Sequence, residues 1–445
     1  DKLYIKEALS RARNNNPDAM YELEAIEKIL LLNFDTDMKP EDRAQWLHFI
    51  KRFQQFTGPL MAKGVEDTTF YIYNRLISLN EVGGNPVMFG IKPQDFHEFN
   101  LRRQQRWPHT MNATSTHDTK RGEDARCRLN ILSEIPEEWG RAVKLWSKLN
   151  RAQKKTVQGK KAPERDDEYL IYQTLIGSFP FEGSATEDFR KRMEEYIVKA
   201  LRESKIHTGW IKPDVSYEEA CVLFVRSILT PNKKNEFLNT FVTFQKKISQ
   251  QAIYSSLGQA LLKITSPGVP DFYQGAELWD ISMVDPDNRR PVDYQQRKNF
   301  LKKIRKEDND LPALIADLWK NRSSGQIKLF LIYRALAARN QAREIFSDGE
   351  YIPLEVQGEL KDHVIAFARR LGEKWAVTAV PRLLTGSISE DGLLGNVWKD
   401  TAVLLPDGAP AKWRNCITGE ILTAKNILSA GEVFGGFPAA LLLSE

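Results

Sequence analysis

Helical spacing of the apolar residues governs this chain to about residue 341 and then gives way to alternation. That change of period points to helices first and a sheet last, because side chains repeat every 3.6 residues on a helix and every 2 on a strand. Leu23, Ile26, Ile29 and Leu30 recur at helical spacing, and Trp46, Phe49, Ile50 and Phe53 do so after a break at Asp37–Pro40. Residues 125–255 are strongly helical. Ser184 with Glu187 and Ser216 with Glu219 predict two capping boxes, each followed by an apolar face. Further helices are predicted over 251–264 and 326–341. Beyond them Ile365, Phe367 and Arg369, then Trp375, Val377 and Ala379, and the Pro406-Asp-Gly turn predict short antiparallel strands. Two short segments ahead of that sheet also read as strands: 107–118 (WPHTMNATSTHD) and the start of ITSPGVPDFYQGAELWD. QGKKAPERDDE at 158–168 reads as a polar loop or a mobile hairpin, and 56–85 as a loop-and-helix segment lining a cleft.

At 445 residues the chain has room for two or three domains. Its 42% apolar and 28% charged composition excludes a disordered chain, a fibre and a disulfide scaffold. No run approaches the roughly 18 apolar residues of a membrane span, and DKLYIKEALSRARNNNPD carries no apolar signal-peptide core. A soluble, cytoplasmic protein without a membrane partner is expected. The net charge of +5 arises from interleaved bases and acids rather than a basic tract, so no nucleic-acid partner is expected. Cys127, Cys221 and Cys416 lie far apart, and the six histidines never form HxxxH or HExxH, so neither a disulfide framework nor a zinc site is read. No GxxxxGK[ST] or GxGxxG loop is present, and no cofactor or metal is expected.

Three stretches concentrate groups that do chemistry. The densest is Ser115-Thr-His-Asp-Thr-Lys-Arg-Gly-Glu-Asp124. Burying His, Asp, Lys and Arg together is costly unless the charges meet a ligand or one another. At the carboxyl end of a barrel strand this would be an active-site position; it reads equally as a strand-to-helix turn with Asp118 as the cap. The second is Lys63-Gly-Val-Glu-Asp-Thr-Thr-Phe-Tyr71, where polar forks interleaved with aromatics suit a sugar, although a capped helix start with a surface ion pair explains it as well. The third, Val284-Asp-Pro-Asp-Asn-Arg-Arg-Pro-Val-Asp293, holds Asp285, Asp287 and Asn288 as conceivable cation ligands, but its prolines and arginines favour a rigid, salt-bridged loop. Trp139, Trp146, Tyr169 and Tyr172 read as core.

Taken in order, GVEDTTFYIYNRLISLNEVGGNP, STHDTKRGEDAR, DDEYLIYQTLIGSFP, KALRESKIHTGWIKPD, SPGVPDFYQGAELWD and VDPDNRRPVD resemble the maltooligosyltrehalose synthases of the α-amylase superfamily. The resemblance implies an α/β fold: the C-terminal part of a (β/α)8 barrel with a large helical insertion, followed by an antiparallel β-sandwich. It divides the chain into later barrel strands and helices (1–124), a helical insertion (125–250), the end of the barrel (251–344) and a β-rich C-terminal domain (345–445). The implied activity, that of an isomerase, is an intramolecular transglycosylation with retention. It turns the reducing-end α-1,4 linkage of a maltooligosaccharide into an α,α-1,1 linkage.

Carried over by the same resemblance, Asp118 is the superfamily's third carboxylate, and His117 is its substrate-binding neighbour. Lys120 and Lys63 fall to the reducing-end glucose, Arg121, Glu66 and Asp67 support them, and Arg289 binds substrate or braces the site. The family's nucleophile segment, Arg-x-Asp-His-x-Asp-Gly, occurs nowhere in the 445 residues. Glu27-Lys superficially matches its acid segment but lies in a helical pattern, and Glu27 receives no role. The resemblance therefore implies the C-terminal half of a longer enzyme, inactive alone and partnered by the missing N-terminal half of the barrel. The alternatives are another α-amylase-type hydrolase or glucosyltransferase, and a non-catalytic glucan-binding module.

Overall fold

The structure is a computed structural model that describes residues 2–386 and 397–445. It divides into two compact units, residues 1–69 and 70–445. The first is helical: α1 (Lys2–Asn15), α2 (Met20–Leu30) and α3 (Pro40–Met61). α3 starts at Pro40, whose fixed φ and missing N–H suit the first helical position. Its last turn widens into a π-turn over Ala62–Glu66, just beyond the internal Pro59. Glu27 in α2 is paired with Arg13 in α1.

The second unit opens with α4 (Pro93–Arg106) and β1 (Met111–Asn112). Next come α5 (Glu123–Glu134), α6 (Pro136–Asn150), the hairpin β2–β3 (Lys155–Val157, Lys160–Ala162) and α7 (Arg165–Ser178). The helical stretch continues through α8 (Glu187–Ser204), α9 (Val215–Leu229) and α10 (Glu236–Thr265). Both predicted capping boxes are displaced. The Thr186 side chain caps α8 by accepting from Phe189 N–H, and that of Asp214 caps α9 by accepting from Tyr217 N–H. For α8 a threonine closer to the first helical residue takes the cap from Ser184, and for α9 Ser216 already lies inside the helix, so Asp214 just before it caps instead. The predicted helix 251–264 is the second half of the longer α10.

β4 (Val269–Pro270) returns parallel to β1, with Met111 opposite Val269, so helices α5–α10 form the crossover between two paired strands. The approach is tight. A Cβ on Gly268, at φ +123°, would stand 2.6 Å from the Thr110 carbonyl oxygen, which only glycine avoids. After α11 (Tyr294–Glu307), α12 (Leu311–Lys320) and α13 (Gln326–Gln341) the chain enters its sheets. These strands are β5 (Glu350–Pro353), β6 (Val356–Gln357), β7 (Val364–Leu371), β8 (Lys374–Pro381), β9 (Ala402–Leu404), β10 (Lys412–Asn415), β11 (Ile421–Thr423), β12 (Ile427–Ser429) and β13 (Ala440–Ser444). Among the described residues they form a six-stranded antiparallel sheet, ordered β11-β10-β13-β8-β7-β5, and a three-stranded one, β12-β9-β6.

Two apolar cores result. One gathers α5–α10, with Trp146, Tyr172 and Phe241 fully buried in edge-on and stacked aromatic contacts. The other joins α10, α12 and α13 to both sheets, through Leu257, Leu261, Phe330, Val377, Trp413 and Leu442. α10 contributes to both cores and so couples the strand pair to the sheets. The expected alternation on β8 is blurred, because Trp375 through Pro381 are buried on both faces. The aromatic residues read as core are core, with Tyr169 partly exposed.

Candidate active site

The segment leaving β1 runs over ten residues to the start of α5, and nearly every polar group along it is tied down. Gly122 precedes α5, and no side chain caps this helix. The carbonyl of Asp280 takes that role, accepting from the N–H groups of Asp124 (3.0 Å) and Ala125 (3.2 Å). The Asp280 carboxylate in turn accepts from the Ser115 hydroxyl at 3.0 Å, and Ser115 Oγ accepts from Glu123 N–H. Arg121 bridges antiparallel to Met283. The loop after β4 therefore clamps the loop after β1, as the parallel pairing of the two strands requires.

His117 and Asp118 occupy the turn at the tip. His117 is exposed, and its carbonyl accepts from Asn288 Nδ2 and Arg289 Nε, each at 3.2 Å. The turn closes on itself: Thr119 Oγ1 donates to the Thr116 carbonyl, and Asp118 N–H donates to Thr116 Oγ1. Asp118 is half-buried, and among the described residues none donates to its carboxylate. It does not cap α5, whose first residue lies five positions on.

Lys120 and Arg121 are buried, and Glu81 holds their backbone. Glu81 Oε1 accepts from Lys120 N–H at 2.8 Å and Oε2 from Arg121 N–H at 3.3 Å, while Arg126 pairs with the same carboxylate at 2.9 Å. The Arg121 guanidinium donates to the Ile77 carbonyl and to Tyr196 Oη, both at 3.1 Å, so it braces the segment from inside. Arg289 lies beside Asp285 (3.8 Å) as well as on the His117 carbonyl. The 284–293 loop is indeed salt-bridged: Asp287 takes Arg192 and Arg290, and Asp285 takes Lys199 at 2.7 Å. No cluster of three metal-ligating residues occurs among the described residues.

Lys63, Glu66 and Asp67 belong to the other compact unit, on the π-turn after α3. There Lys63 pairs with Asp67, Glu66 is buried, and Thr68 and Thr69 hydroxyls donate to the Lys63 and Gly64 carbonyls.

Two groups carry no signal in the sequence. One is Glu81. The other is a buried charge cluster beneath the turn. Lys328 Nζ, on α13, lies 2.7 Å from both Glu123 and Asp124, and Lys263 Nζ, on α10, lies 2.7 Å from Thr114 Oγ1 and 3.3 Å from Glu123. Burial alone would raise the Glu123 carboxyl, but the ammonium groups of Lys328 and Lys263 outweigh it and hold it at about 2. Burial likewise would lower Lys328, and the two carboxylates reverse that and raise it. The excess of charges at 120–124 was legible; the lysines that answer it stand some 140 and 205 residues away.

No family model matches the chain. A Mycobacterium tuberculosis protein, provisionally named as a maltooligosyl trehalose synthase, is 36% identical over 395 residues, which are 88% of this chain and 45% of the relative. The solved maltooligosyltrehalose synthase of Arthrobacter ramosus superposes with a TM-score of 0.77 at 32% identity, covering 100% of this chain and 51% of that one. A further solved maltooligosyl trehalose synthase matches at TM-score 0.70 and 29% identity, over 99% of this chain and 58% of that one. The proteins that this chain is similar to are maltooligosyltrehalose synthases. The similarity to the solved synthases extends along the whole of this chain. The chain spans about half the length of the curated relatives it matches.

Proposed function

We propose that the chain is the C-terminal portion of a maltooligosyltrehalose synthase and carries the non-nucleophilic half of its sugar site. On this reading β1 and β4 are barrel strands, with 1–124 and 251–344 as barrel, 125–250 as insertion and 345–445 as a β-sandwich. The observation that carries it is the Asp118 carboxylate, half-buried at the tip of a braced turn after a parallel strand, with no donor among the described residues. Such a carboxylate is set to accept from the hydroxyls of the sugar at the cleavage point and to steady the oxocarbenium charge of the transition state. Lys120 serves the released glucose, which must turn and present its anomeric hydroxyl before water intervenes, and the resemblance assigns Lys63, Glu66 and Asp67 an acceptor-side role as well. His117 and Arg289 bind or brace at the rim.

Retaining chemistry needs a nucleophile and an acid as well, and the nucleophile segment is not within these 445 residues. The partner on this reading is the other half of the barrel, the substrate a maltooligosaccharide, and the compartment the cytoplasm. Among the described residues no helix is long and apolar enough to cross a membrane.

The test supplies the chain with the missing half and maltopentaose. Asp118→Asn is expected to abolish trehalose-capped product, and Lys120→Ala to shift product toward hydrolysis. The chain by itself is expected to give none; product from the isolated chain, or undiminished turnover in Asp118→Asn, overturns the proposal.

A further inference from the structure

β1 and β4 run side by side, and their side chains sort onto two faces. One face meets α10 and the bend that follows it. Asn112 is buried and donates through Nδ2 to the Pro267 carbonyl at 3.1 Å. Thr114 Oγ1 accepts from Lys263 Nζ on α10 at 2.7 Å, and the same ammonium stands 3.9 Å over the ring of Phe272. Alternation along the chain sends the neighbours of these residues, Met111, Ala113, Val269 and Asp271, to the opposite face. That face is open: Met111 is 63% exposed and Val269 47%.

The pairing does not stop with β4. Asp271 N–H donates to the Asn112 carbonyl at 2.9 Å, which carries the parallel ladder one residue past Pro270 and sets Asp271 beside Ala113. Asp271 thus stands at the carboxyl end of the strand pair, on its open face, at the root of the loop that carries Asp118. Its side chain is half-buried, and among the described residues none donates to its carboxylate. Other acids of the loop after β4 are already engaged. Asp280 accepts from the Ser115 and Ser282 hydroxyls, and Glu277 accepts from Arg297 at 3.1 Å.

In a closed barrel, side chains that end a strand and face the lumen line the pocket. We propose that Asp271 is a second carboxylate of the sugar site, its two oxygens accepting from hydroxyls of the glucose unit seated lowest in the pocket. This deepens the function proposed above and rests on its reading of β1 and β4 as barrel strands, with the open face as the lumen. Depth separates the two acids: Asp271 is the first residue past its strand, whereas Asp118 occupies the tip of a turn. A carboxylate closed into a lumen loses water and needs donors in its place. A pyranose supplies them as hydroxyls around its ring.

The experiment again supplies the other half of the barrel, with maltopentaose as substrate, and reads melting temperature beside initial rates. Asp271→Ala is expected to lower kcat/KM about 10- to 100-fold, the loss of hydrogen bonds to a charged acceptor. Its melting temperature is expected to stay unchanged, because the carboxylate holds nothing within the fold. Asp271→Asn keeps the shape and one acceptor oxygen, and is expected to recover part of the loss; it decides the matter should the alanine variant not fold. Full kcat/KM in these variants, while Asp118→Asn abolishes product, refutes the Asp271 contact and leaves the Asp118 site standing. Undiminished turnover in Asp118→Asn removes both. A melting temperature that falls together with activity, in Asp271→Asn as well, identifies an ion pair with the other half of the barrel and refutes the inference.

Discussion

Glu81 shows how one carboxylate can set the geometry of a site it does not enter. Its two oxygens take the N–H groups of Lys120 and Arg121 and the guanidinium of Arg126, with only 15% of the side chain exposed. Removing it takes their acceptor from the backbone N–H groups of Val82, Lys120 and Arg121 and the carboxylate partner from a largely buried arginine, which keeps the Thr114 carbonyl. Each buried unpaired group costs about 1–3 kcal/mol, so Glu81→Ala is expected to lower the unfolding free energy by at least that amount in denaturant titration. Glu81→Gln, which retains one acceptor oxygen, is expected to lose less. Nothing in SLNEVGG distinguishes this glutamate from an exposed one, since its partners lie some 40 residues away. Asp118 and its neighbours stand out in the sequence because their types and order resemble a family motif, and their role remains the one proposed above. Arg121, expected from the resemblance to support the acceptor-side lysines, braces the segment through Ile77 and Tyr196, contacts that no local pattern announces.

At the scale of elements, the start of α5 is where β1 and β4 communicate. Gly122 lies against Asp280 so closely that a Cβ would stand 2.4 Å from the Asp280 carbonyl oxygen, the same oxygen that caps α5. Gly122→Ala must push the two loops apart and forfeit that cap. It is expected to cost about 1–3 kcal/mol, the usual penalty for overpacking, read as a drop in Tm. The predicted helix 326–341 is found with those bounds, as α13, and the 158–168 region does contain half of a hairpin. Strand lengths were not legible: WPHTMNATSTHD reads as one strand, yet only Met111 and Asn112 pair, because the polar residues beyond them bond to loops rather than to a neighbouring strand. The capping boxes failed for a related reason. Several Ser, Thr and Asp residues compete near each helix start, and the local backbone decides among them.

Across the whole molecule, the buried cluster of Glu123, Asp124, Lys263 and Lys328 joins α5, α10 and α13, and so links the strand-end site to the core shared with the sheets. Such a cluster makes stability pH-dependent. Glu123 is depressed from 4.5 to about 2, so its contribution is fully present above about 4.5 and is lost as the pH falls toward 2. Acid unfolding followed by circular dichroism should therefore steepen within that window, and Glu123→Gln should flatten it. Removing one partner is more severe: Lys328→Met leaves two carboxylates buried without their shared ammonium, a change expected to cost about 3–5 kcal/mol.

By itself the sequence determined the periodicities, the order of helices and strands, the family motifs and the absence of the nucleophile segment. Those are local facts, written in spacing and residue type. Tertiary structure alone decided which charges meet: Lys328 with Glu123, and Glu81 with the backbone of Lys120. A buried charge is tolerable only beside its counterpart, and that counterpart is chosen by how the elements pack, at separations along the chain on which no local pattern bears.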